Sequence, residues 1–355
     1  MQQSRLDFLK RFMETICPTG FEEAASRVWR EEADAFADRT WVDQHGNSFA
    51  VVNESGSPRI MLAGHADEIG LMVTHIDKDG YLSFIGLGGW DVQVLPGQRV
   101  RILTEDGIVL GVIGRKPIHL IDADERKKVV KMEELWIDIG AKDREDAASV
   151  IAIGDPGVLD YDVAELRNGL FAARGFDDRI GAFVVLEAAR LAAEQNPKAA
   201  IYAVATVQEE IGTRGAITSA FGIDPQVGIA VDVGHATDMP GMGKQKKIAG
   251  DIKMGAGPIV TRGPNINTPL FRRIVATAGQ KTIPYQLHAW PRPTGTDARS
   301  IQITRAGVAT GLISIPNRYM HSPGELVHLD DVENAARLIA ETIVGIDEST
   351  SFLPS

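Results

Sequence analysis

The sequence predicts an α/β protein whose largely parallel sheet is covered by helices on both faces and interrupted by a β-rich insertion. At both ends of the chain, short apolar runs alternate with stretches of helical periodicity, the pattern of repeated strand–helix units. Between about Ile69 and Leu166 the long helical stretches vanish and turn signals crowd in. A length of 355 residues exceeds what one core usually holds. The expected division is a discontinuous domain of residues 1–68 and 167–355, with residues 69–166 inserted into it.

Residues 5–16 and 21–36 open the chain with apolar positions at helical spacing, broken by Pro18-Thr19-Gly20. Phe49–Val52 and Arg59–Gly64 then read as strands, the second as a short apolar run suited to burial on both faces. In the insertion, Leu71–Ile76, Tyr81–Ile85 and Arg99–Leu103 are strand-like and are punctuated by Asp79-Gly80, Pro96-Gly97 and Asp106-Gly107. Alternation resumes with a helix over 178–194, strands over 200–207 and 227–233, and a helix opened by Thr268-Pro269 with Thr268 as its cap. A strand over 307–315 precedes a last helix, for which Asp330 and Glu333 have capping-box spacing.

The formal charge of −11 argues against nucleic-acid and anionic-membrane partners, and Lys244–Lys247 reads as a solvated loop. No run of 18 apolar residues occurs, so no membrane span is expected. Cys17 is the single cysteine, no intramolecular disulfide can form, and the N-terminus lacks a secretory pattern; a reducing cytoplasm is the expected compartment. Cys17 itself is expected to be a small buried side chain.

Polar clusters that follow apolar runs mark the carboxyl edge of such a sheet, where sites collect. The first is Gly64-His65-Ala66-Asp67-Glu68, which taken alone fits a strand-end turn. Arg174–Arg179 holds Asp177 and Asp178, which could equally cap a helix or bridge two cations. Glu209 and Glu210 end an apolar strand, where buried carboxylates are costly without a partner. Adjacent residues on an extended chain diverge, so one of them can ligate a metal while its neighbour faces the water to be activated. Asp232 ends another strand, and His321 sits in a loop before the last helix. Mixed imidazole and carboxylate ligands suit zinc and tolerate cobalt or manganese, and a bridging carboxylate would suit two ions about 3.5–4 Å apart.

In order, Gly64–Gly70, Phe176-Asp177-Asp178-Arg179, Gln208–Gly212, Asp232-Val233 and His321–Glu325 resemble the motifs of the M42 metallopeptidases, the tetrahedral aminopeptidases, some of which carry older labels as endoglucanases. The similarity spans nearly the whole chain, including Gly295-Thr296-Asp297-Ala298. It implies a zinc-exopeptidase-like α/β/α sandwich with a PDZ-like insertion used in oligomer assembly. It also implies two divalent metals, with Asp177 bridging, His65 and Asp232 completing one site, and Glu210 and His321 the other. Glu209 would be the general base acting on a bridging water, and Asp67 would orient a ligand, His65 first. Gly295 and Thr296 would line the substrate pocket. Short peptides would be the substrates and homo-oligomers, dimers building to a hollow dodecamer, the working form.

His288 and Trp290 are expected to pack in a strand and turn, and His235 to lie near the ligands or in solvent. A glycosidase reading fails on adjacency: its two carboxyl groups must face opposite sides of one bond, and Glu209 and Glu210 are neighbours.

Overall fold

A computed structural model describes residues 1–354, apart from the side chain of residue 125. Strands β1 (Arg39–Val42), β2 (Ser48–Val52) and β3 (Arg59–His65) come first. Next are β4 (Gly70–Ile76), β5 (Leu82–Leu87), β6 (Arg99–Thr104), β7 (Gly107–Gly114), β8 (Trp136–Asp138) and β9 (Pro156–Leu159). They close as a barrel in the order β4-β5-β8-β7-β6-β9. The chain continues through β10 (Ala164–Glu165), β11 (Leu170–Ala173), β12 (Ala200–Thr206) and β13 (Val227–His235). It ends with β14 (Ile259–Arg262), β15 (Gln286–Ala289), β16 (Ala309–Asn317) and β17 (Glu325–His328).

The large sheet runs β1-β2-β12-β3-β13-β16-β14-β15. Its four central strands, β12, β3, β13 and β16, are mutually parallel. Antiparallel pairing flanks them, β2 with β1 and β12 on one side and β14 with β16 on the other, so the sheet is mixed rather than mostly parallel. The short loop 43–47 explains the first hairpin, since a connection of that length can only reverse the chain. In that loop the Asp43 carboxylate accepts the N–H groups of His45 and Asn47.

Helices α1 (Gln3–Glu14), α2 (Glu23–Ala33), α3 (Arg144–Ala148), α4 (Phe176–Ala193) and α5 (Arg214–Ile223) are followed by α6 (Gly243–Ala249), α7 (Thr268–Gln280), α8 (Asp297–Gln302) and α9 (Leu329–Val344). Strand alternation sorts the central side chains into two layers. Ile60, Leu62, Ile201, Ala203, Ile229 and Val231 pack with α1, α2, α4, α7 and α9, while Met61, Ala63, Val204 and Ala230 pack with α5 and α8. Both faces are therefore covered. The barrel encloses its own core, with Leu71, Val73, Leu82, Phe84, Val100, Ile102 and Ile137 inside.

Local details differ from expectation at three points. Asn267, not Thr268, caps α7: it is the last extended residue before the helix, and its side-chain oxygen accepts the Leu270 N–H. His328 caps α9 through Nδ1, which leaves Asp330 in the first turn. Lys244–Lys247 lie in α6 rather than in a loop. Cys17 is fully buried, as expected, with its thiol 3.5 Å from Glu68 Oε1. Among the described residues no helix is long and apolar enough to cross a membrane.

α4 lies directly on β3 because both are glycine at the contact. A Cβ on Gly64 would stand 2.4 Å from the Gly181 carbonyl carbon and 2.5 Å from the Ala182 nitrogen. Since the obstacle is backbone, it cannot swing away. Gly64→Ala should destabilise the fold by about 1–3 kcal/mol, the usual cost of overpacking, and should weaken metal retention by pushing the start of α4 from the end of β3. Urea denaturation and metal analysis of the same preparation check both.

Candidate metal centre and active site

Parallel strands deliver His65, Glu209, Glu210 and Asp232 to one edge. His65 is the last residue of β3 and pairs in register with Thr206 of β12, so the segment leaving β12 reaches Glu209 beside it. Asp232 lies near the end of β13, opposite Ser314. Asp177 and Asp178 enter from the first turn of α4, where they have non-helical angles and share a cis peptide bond. His321 comes from the loop between β16 and β17 and has φ +59°.

Asp177 stands between the two imidazoles. Its Oδ1 is 3.2 Å from His65 Nε2 and its Oδ2 is 3.2 Å from His321 Nε2. Glu210 Oε1 is 3.4 Å from His321 Nε2, and Glu209 Oε2 is 3.8 Å from His65 Nε2. Ligand atoms of His65, Asp177 and Glu210 lie within 4.8 Å of one another, as do those of His65, Asp178 and Asp232. The candidate ligands named from the sequence are thus assembled, and Asp178 joins them.

Electrostatics mark the cluster as short of positive charge. Burial first, then the Asp177 charge, pushes the carboxyl groups of Glu210 and Asp232 up. Asp178 rises through burial and Asp232. Glu209 is pushed up to about 10 by burial, with Asp232, Asp297 and Glu210 adding to it against His65. Burial also opposes ionisation of Asp177, but hydrogen bonds from His321 and His65 outweigh it and hold this carboxyl low. His321 is raised to about 11 by its bonds to Asp177 and Glu210. Protons on the imidazoles thus stand in for cations, and metal binding would release them. Glu210 Oε1 is buried and has only the His321 imidazole, 3.4 Å away, as a polar partner, which leaves it an under-satisfied acceptor in the cluster. Donor set and under-satisfied acceptor together fit divalent cations.

Three buried carboxylates fix the backbone of these residues. Asp67 accepts the N–H groups of Glu209 at 3.0 Å and Glu210 at 3.1 Å. Glu325 accepts those of Asp177 at 2.8 Å and His321 at 2.9 Å. Asp178 accepts those of His65 at 3.2 Å and Gly181 at 3.1 Å. Asp67 was expected to orient His65. Its main-chain carbonyl is 3.0 Å from His65 Nδ1 and its carboxylate 3.5 Å, so the carbonyl makes the closer contact and the carboxylate serves the glutamate pair. Glu325 closes the last of the sequence motifs, but nothing in the sequence announces a partner 148 residues away.

The ligands open on a cavity of about 390 Å³ that Gly295 and Thr296 also line. His235, His288 and Trp290 line it too, which corrects the expectation that His288 and Trp290 only pack: β15 is the sheet edge, and its half-buried face forms the cavity wall. The loop after β5 of the barrel also comes close to the cluster. A Cβ on Gly88 would lie 3.4 Å from Glu210 Cβ, and one on Gly89 3.5 Å from His321 Nδ1.

An α/β sandwich with a buried His and carboxylate cluster at its strand ends is the architecture of a metal-dependent hydrolase. The M42 glutamyl aminopeptidase family matches residues 46–338, and the chain belongs to this family as an aminopeptidase. Lysyl aminopeptidase of Pyrococcus furiosus is 41% identical over 337 residues, 94% of each chain. The crystal structure of a TET aminopeptidase from a marine sediment Thaumarchaeota archaeon superposes with TM-score 0.92 at 40% identity, over 97% of both chains. TET1 peptidase of Pyrococcus horikoshii, described as assembling into a tetrahedron or a large octahedral shell, gives 0.86 at 32% identity over 96% of this chain and 100% of that one.

Glu325→Ala would strand two buried N–H groups at roughly 1–3 kcal/mol each. The expected result is lower stability with metal content well below wild type, and Glu325→Gln, which keeps one acceptor, should fall between. Metal analysis after dialysis, paired with denaturation, reads this directly.

Proposed function

We propose that the chain removes N-terminal residues from short peptides by two-metal hydrolysis with Glu209 as the proton-carrying base. The observation that supports it best is the Asp177 carboxylate, which offers one oxygen toward each of two imidazoles. In this reading His65 and Asp232 would hold one cation, Glu210 and His321 the other, and Asp177 would serve both. Zinc suits these donors first, and cobalt or manganese would be tolerated. What the cations supply is polarisation of the scissile carbonyl and acidification of the attacking water.

The chain's own residues do the rest. Asp67 holds the Glu209–Glu210 backbone, so that Glu210 turns toward His321 and Glu209 toward the His65 side. Glu209 keeps a proton in the metal-free protein because burial and neighbouring acids disfavour its charge. Positive charge nearby reverses that preference and leaves a carboxylate able to accept a proton from water and return it to the leaving amine.

The barrel is the proposed assembly unit, and residues 69–166 its extent. Along β7 the side chains of Ile108, Leu110 and Val112 all face outward and are exposed, an apolar stripe suited to a second copy. Assembly of the kind described for the P. horikoshii relative would limit access to short peptides.

Glu209→Gln should retain about two metals per chain while turnover of aminoacyl chromogenic substrates falls roughly 10²–10⁴-fold. Chelation should abolish turnover and zinc, cobalt or manganese restore it. Full activity in the variant, or glycan cleavage that survives chelation without amino-acid release, would sink the reading.

A further inference from the structure

Beyond the ligand cluster the cavity continues over the sheet, and its floor is a row of register partners. Asp232 on β13 is paired with Ser314 on β16, which is paired with Ile259 on β14. Two residues further along β14, Thr261 is the partner of His288 on β15. Residues two apart share a face, so Leu312, Ile259, Thr261 and His288 stand on the same side as Asp232, and all line the cavity. Val233, Ile252, Met320 and Trp290 add further apolar wall. The row therefore runs from a metal-cluster acid through the Ser314 hydroxyl and the Ile259 hydrocarbon to the uncharged polar groups of Thr261 and His288.

Among the described residues, the only Asp or Glu lining the cavity belong to the metal cluster, and no Lys or Arg lines it. The Thr294 hydroxyl is already engaged with Asn265 and Thr296. Burial, with His235 nearby, holds the His288 imidazole below its ordinary range, which leaves it uncharged near neutral pH. An ammonium or carboxylate entering this space would shed water and meet no counter-ion.

We propose that this floor receives the side chain of the substrate's N-terminal residue and selects uncharged aliphatic residues such as leucine and methionine over lysine and glutamate, with His288 as the specificity-determining position at its far end. The proposal rests on the two-metal aminopeptidase reading, which commits Asp177, Glu210 and Asp232 to cations and Glu209 to proton transfer. It departs from the lysyl preference in the name of the P. furiosus relative.

The test compares kcat/KM for leucyl, methionyl, lysyl and glutamyl chromogenic substrates on the metal-loaded full-length protein. Leucine and methionine should lead by at least about tenfold, and His288→Glu should raise the lysine-to-leucine ratio by a similar factor. Calorimetric binding of free leucine, lysine and glutamate to Glu209→Gln gives a readout that needs no turnover. Lysine or glutamate matching leucine in both measurements overturns the pocket and leaves the hydrolytic mechanism standing. Preferential leucine binding to a protein that cleaves none of the substrates keeps the pocket and removes the mechanism. An unchanged ratio in His288→Glu strikes out that residue's role.

Discussion

Like charges repel most where water is scarce, and five carboxyl groups crowd the carboxyl edge of this sheet: Asp177, Asp178, Glu209, Glu210 and Asp232. Burial and mutual repulsion push four of them toward their protonated forms. Two nearby guanidinium groups give the cluster little relief, because Arg174 and Arg179 are both paired with buried Glu68. The cluster is stable only if protons or cations fill the deficit. That requirement ties the fold to its chemistry: the strand ends bring the acids together, and the acids create the demand for metal.

Crowding of this kind would ordinarily spread the chain apart, and the structure resists it with backbone hydrogen bonds to ionisable groups. Asp67, Asp178 and Glu325 each join segments more than 100 residues apart. Leaving such a buried N–H without its acceptor costs about 1–3 kcal/mol, enough to hold each backbone in place while its side chain remains free to face the centre. His321 shows the need. It lies in a loop at positive φ, and the Glu325 carboxylate bonded to its N–H fixes where its imidazole can reach.

The insertion contributes to the same site from outside. The loop after β5 brings Gly88 and Gly89 up to Glu210 and His321, and Gly88, at positive φ with Ile69 beside it, has no room for a side chain. The same barrel exposes an apolar stripe along β7. On the opposite side, the paired faces of β13, β16, β14 and β15 give the cavity a rigid floor, since register fixes each side chain relative to Asp232.

Much of this was legible in the sequence, because apolar runs at the spacing of strands end in polar clusters only where a sheet edge needs them. His65, Glu209-Glu210 and Asp232 could be placed at one edge from that pattern alone, and the ordered motifs then named a family and a ligand set. Local rules erred where a neighbour decided the outcome, as with the caps Asn267 and His328. Tertiary structure alone decided the antiparallel pairing of β12 with β2 and of β16 with β14, the partners of Asp67 and Glu325, and the role of His288 in a cavity wall. Each of these depends on contacts between segments distant along the chain. A one-dimensional pattern records which face a side chain takes but not what will stand opposite it.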